Sequence, residues 1–84
     1  MWKLVWRDMT FAEKDVTGAD LFTAQLISPG GWLAGDPQQG PVNAANLVAI
    51  LAARVHGRDF DDVIDEIAHA EAAEVASIVQ PADA

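Results

Sequence analysis

Residues 44–53 read Ala-Ala-Asn-Leu-Val-Ala-Ile-Leu-Ala-Ala, and only Asn46 among them is polar. A run of this length with no alternation and no β-branched majority reads as a helix. It is apolar nearly all round, and such a helix lies at the centre of a fold or under a partner. Everything else must pack around it. Asn43 is placed to cap its start and Gly57 to follow its end, so the helix is expected over residues 44–56. Arg54, His56 and Arg58 fall near the end where helix dipoles favour cations.

Toward the C-terminus, Asp59 is a candidate N-cap, with Asp61 and Asp62 in the first turn behind it. Phe60, Val63, Ile64 and Ile67 make one apolar face. Ala68, Ala72, Val75 and Val79 continue it at helical spacing, so helix either runs to Gln80 or bends near His69-Ala70. Pro81 is expected to end it, leaving 81–84 as a frayed tail. Toward the N-terminus, residues 29–42 hold three prolines and four glycines in fourteen positions, which forbids a regular element. Before them, Thr17 and Asp20 form a capping-box pattern for a helix over 18–27, stopped ahead of Pro29. Trp2, Leu4 and Trp6 alternate with Lys3, Val5 and Arg7, a strand signature. Arg7-Asp8 then turns the chain and Met9-Thr10-Phe11 returns. The expectation is one α+β domain over residues 1–80, a short N-terminal β-hairpin followed by three or four helices.

The chain has 84 residues and carries 13 acidic against 5 basic side chains, a net charge of −8. The excess has an address. Residues 1–58 hold five acids and five bases, and residues 59–84 hold eight acids and no base. Nucleic-acid binding needs Lys/Arg clusters, which are absent, and anionic membranes are disfavoured for the same reason. The longest apolar stretch, Leu47–Ala53, is far short of the roughly 20 residues of a membrane span. There is no cysteine, so thiolate chemistry and disulfides are excluded. A cytoplasmic protein is expected.

Motifs for catalysis are weak. Glu66 and His69 have the E-x-x-H spacing of di-iron bundles, but one copy does not make a site. The aspartates of 59–65 lack the calcium-loop frame. Gly35 and Gly40 have a Walker gap, yet Pro41-Val42 stand where Lys and Ser/Thr are needed. Ser28 has no nucleophile elbow. No metal, cofactor or enzymatic activity is expected. The candidate partner-binding residues are apolar: Trp32 and Leu33 in the Gly/Pro-rich loop, and Leu47, Ile50 and Leu51 in the apolar helix. Trp is enriched at binding hot spots. The same helix read blandly is a core element, and read functionally is covered by a partner or a second copy.

The order of these segments has a likeness. A hairpin leads into Asp15-Val16-Thr17-Gly18-Ala19-Asp20-Leu21, then a Gly31-Trp32 loop. Next come the Ala/Leu-rich helix Leu47–Arg54 and the acidic Asp59-Phe60-Asp61-Asp62-Val63-Ile64-Asp65. Over residues 3–80 this resembles the small tail assembly chaperones of long-tailed bacteriophages and prophages. The resemblance implies a non-enzymatic protein acting in the host cytoplasm. Its implied partner is the tape measure protein, an apolar helical client kept soluble while tail tube subunits assemble. No binding residue transfers by position. The alternative from the charge pattern is an acidic mimic of DNA, or another small protein-interaction module.

Overall fold

The structure, a computed structural model, describes residues 2–27 and 41–82. In chain order it forms β1 (Trp2–Trp6), β2 (Met9–Ala12), a 3₁₀ turn (Glu13–Asp15), α1 (Gly18–Ile27), α2 (Pro41–His56), α3 (Phe60–Ala68), α4 (Ala72–Ala76) and β3 (Val79–Pro81). This is the expected α+β class, with four α-helices among the described residues.

β1 and β2 pair antiparallel with Trp6 opposite Met9 and Leu4 opposite Phe11. Residues directly opposite share a face, so these four side chains point one way, and all four are buried. The two-residue turn Arg7-Asp8 holds Arg7 at φ 54°, the left-handed conformation that lets a tight turn follow the strand twist. The inward face of the hairpin lies on α2. Leu47, Val48, Leu51 and Ala52 of α2 are fully buried, together with Leu4, Phe11, Val63 and Ile78. α1 and α3 each pack along α2 rather than along each other. The apolar run 44–53 is therefore the middle of the central helix.

Two expectations need correction, and one open alternative is decided. α2 begins at Pro41, not after Asn43. Proline suits the first helical position, because its fixed φ is helical and its missing N–H would have no partner there anyway. Of the two courses open to the helix after Asp59, the chain takes the bend near His69-Ala70 and not the run to Gln80. α3 ends at Ala68, with His69 and Ala70 turning the chain into α4. Pro81 neither ends a helix nor begins a frayed tail. It closes a third strand, and β1 lies between β2 and β3. Val79, Gln80 and Pro81 stand opposite Leu4, Lys3 and Trp2, and the Val5 N–H donates to the Ile78 carbonyl at 2.8 Å. Proline is tolerated there because β3 is an edge strand. Among the described residues no helix is long and apolar enough to cross a membrane.

Candidate protein-interaction surface

α1 is fastened by its first turn. The Asp20 N–H donates to Thr17 Oγ1 at 3.2 Å and the Thr17 N–H to Asp20 Oδ2 at 2.9 Å, the reciprocal capping box the sequence predicts. The carboxylate is only 3% exposed. Arg54 at the end of α2 grips both its oxygens, Nε to Oδ1 at 3.0 Å and Nη2 to Oδ2 at 2.9 Å, and Nη2 also reaches the Asp15 carbonyl at 2.6 Å. Burial pushes the Asp20 carboxyl up, but the hydrogen bonds from Arg54 and Thr17 outweigh it and hold the group below the ordinary carboxylate range.

With Asp20 and Ala24 turned inward, the opposite face of α1 is fixed outward. Ala19, Phe22, Thr23 and Leu26 stand there at the i, i+3, i+4, i+7 spacing of one helix stripe. Phe22 is 71% and Leu26 85% exposed, and Ile27 is exposed beside them. The Thr23 hydroxyl is used within the helix, donating to the Ala19 carbonyl at 3.0 Å. α1 contributes no charged side chain to this face, because its one charged residue is Asp20. A stripe of large apolar side chains left in water is unusual on a small acidic protein and is the kind of surface that marks an interaction site.

A second polar cluster ties the hairpin to the acidic segment. Glu66 on α3 accepts from the Trp6 indole N–H at 3.2 Å, from Arg7 at 3.5 Å and from Arg58. Arg7 also donates to Glu74 of α4 at 3.3 Å, and its guanidinium lies 4.9 Å from the centre of the Trp6 ring. Burial raises the Glu66 carboxyl, and the Trp6 and Arg58 hydrogen bonds bring it below its usual range. In both carboxylates the hydrogen bonds that favour the charged form outweigh burial. They serve as fasteners. On α3, Asp61, Asp62 and Asp65 are exposed, while the Asp59 side chain accepts the Asp62 N–H at 3.1 Å as the N-cap.

The sequence-predicted site residues separate. Trp32 and Leu33 lie outside the described residues. Leu47 and Leu51 are fully buried and Ile50 nearly so, so all three build the core and none is presented to a partner. The expected binding positions of α2 therefore lie inside the fold, with Leu47, Val48, Ile50 and Leu51 packed inward, while Val55 nearer the helix end is exposed. Glu66 and His69 do not converge. His69 Nδ1 instead lies 2.9 Å from the Asp65 carbonyl and 3.3 Å from its carboxylate. His56 packs against the Phe11 ring, centroids 5.5 Å apart. Among the described residues no group of three or more His, Asp or Glu is placed to hold a metal ion. The α1 stripe was not singled out from the sequence. Its signal was present, since Leu21, Phe22, Ala24 and Leu26 surround the helix too widely for one buried face. Choosing the outward half required knowing that Asp20 is drawn in by Arg54.

No family model, curated protein or solved structure matches the chain.

Proposed function

We propose that this chain is a non-enzymatic protein-binding module of the phage tail assembly chaperone type, working in the cytoplasm on an apolar helical client such as a tape measure protein. The observation that supports the reading is the uncharged outer face of α1, where Phe22 and Leu26 stand in water. An amphipathic or apolar client helix docks on such a stripe through its own i, i+3, i+4 positions. The acidic α3 keeps the complex soluble while apolar surface is engaged elsewhere. The DNA-mimic alternative draws less support. Asp59 is spent as an N-cap and Glu66 and Glu74 are paired with arginines, which breaks up the row of carboxylates such a mimic would display.

Co-expression with a tape measure protein tests the reading. The wild-type chain should raise the soluble fraction of the client. Phe22→Lys and Leu26→Lys should abolish that gain while leaving the circular dichroism spectrum unchanged, since both positions are exposed. A client that stays insoluble with the wild type, or is rescued equally by both variants, overturns it. Leu51→Asp is no test of binding, because a carboxylate at a fully buried position unfolds the chain.

A further inference from the structure

We infer that residues 60–80 are a bistable arm. Docked, they are α3, α4 and β3. Released, they form one continuous helix that carries β3 off the edge of β1. Phe22 and Leu26 take no part in this. Other helix boundaries are written into the local sequence: the Thr17–Asp20 box opens α1, Gly57 follows α2 at φ 66° and the Asp59 side chain caps α3. Between α3 and α4 stand Ala68, His69, Ala70 and Glu71, with neither glycine nor proline. Glu71, the N-cap of α4, makes no side-chain cap. The His69 N–H still donates to the Asp65 carbonyl four residues back, and the Ala70 N–H slips to Ile67, three back. The Ser77 hydroxyl donates to the Ala73 carbonyl, an i−4 bond that a helix accommodates. Straightening therefore extends a helix already nucleated in α3, at one hydrogen bond per added residue. Ala68, Ala72, Val75 and Val79 then prolong its apolar face.

Tertiary contacts impose the bend. Of residues 68–82 only Ile78 is buried, and α4 buries none of its own. The arm is tied down by Ile78 in the core, by the short pairing of β3 with β1, continued by the Val5 N–H on the Ile78 carbonyl, and by the exposed ion pair of Glu74 with Arg7. These ties all lie beyond the bend, so they let go together. A segment with so few buried side chains opens without unfolding the rest, and two packings of one segment make a switch. Release empties the Ile78 site and frees the backbone groups along β1 to pair with another strand. The arm thus gates that edge.

Nuclear magnetic resonance on the full chain tests both halves of this. In the wild type the Val5 amide should exchange with deuterium roughly tenfold or more faster than the amides of Val48 and Leu51, because it is freed by release alone. Ile78→Lys evicts the arm, since an unpaired charge is not held at a fully buried site. Lysine is also a good helix former, and four residues after Glu74 it favours the straight helix. The backbone Cα chemical shifts of residues 69–80 should then move to helical values while those of α1 and α2 stay in place. Adding Glu71→Pro should remove the helical shifts beyond residue 70: φ −67° at Glu71 suits proline in the docked arm, and a proline there breaks a continuous helix. Arg7→Asn keeps the left-handed turn and cuts the ion pairs to Glu66 and Glu74, so it should move the same shifts the same way by less. If Ile78→Lys unfolds the whole chain, Arg7→Asn decides alone. A Val5 amide as slow as those of α2, released residues 69–80 at coil values, shifts that neither variant moves toward helix, or helical shifts that survive the proline each overturn the inference.

Discussion

Asp20 joins three backbone and side-chain systems at one carboxylate: its own helix start, the end of α2 through Arg54, and by way of Arg54 the Asp15 carbonyl. Asp20→Asn keeps the volume and loses the charge that Arg54 pairs with. It should cost about 2 kcal/mol in urea unfolding, the scale of a charge-assisted hydrogen bond left half-made. The pH dependence has a definite sign. Asp20 and Glu66 both hold their carboxyls below the ordinary range, so the unfolded chain takes up these protons at higher pH than the folded one. Their stabilisation is complete above the unfolded values of about 4 and is lost as pH falls through and below them. The urea midpoint should hold steady from neutral pH down to about 5 and drop below that, and the drop should be shallower in Asp20→Asn. Gly57 makes a separate case. It sits at φ 66° with nothing near the position a Cβ would take, so Gly57→Ala should cost only the backbone strain, about 1 kcal/mol in the same assay.

At the level of elements, β3 is three residues long and is held by what precedes it. Ile78 is fully buried, and the salt-bridged Arg7 ties Glu74 of α4 to the hairpin turn. Ile78→Ala should cost about 3 kcal/mol by thermal or urea unfolding, the usual range for emptying a well-packed aliphatic site. Trp6→Phe keeps the ring in the core and removes the donor to Glu66, and should cost about 1 kcal/mol. These contrasts also explain what the sequence disclosed. The hairpin, the Thr17–Asp20 box, the Asp59 cap and Gly57 were legible because each is local: its physics is complete within four or five residues. β3 was not, because Val79 and Gln80 continue a helical spacing and their strand partners, Leu4 and Lys3, lie at the other end of the chain. Nothing near residue 79 records that pairing. The binding face was hidden for a related reason. Apolarity pointed to α2 and passed over α1, and only tertiary packing decided that α2 turns Leu47, Val48, Ile50 and Leu51 inward while α1 keeps Phe22 and Leu26 outward.

Over the whole molecule the charges are sorted rather than mixed. Arg7, Arg54 and Arg58 are each engaged with carboxylates of the fold, and the exposed Asp61, Asp62 and Asp65 face water on one helix. Asp61 and Asp65 are four apart, a like-charge spacing that destabilises a helix. Added salt should therefore raise the melting temperature of the dilute wild-type chain by about 4–8 °C, corresponding to about 1 kcal/mol in a domain of this size. Asp61→Asn should show a smaller rise. The placement of β3 beside β1 also sets a timetable. Synthesis proceeds from β1 toward β3 at about 5–20 residues per second, so the first strand waits on the order of 4–15 s for its second neighbour. Through that interval Leu4 lacks the backbone cover of Val79, the site of Ile78 stands empty, and one edge of β1 is unpaired. The nascent chain is itself an aggregation hazard until its last strand arrives, and so depends for a few seconds on being kept apart from its neighbours.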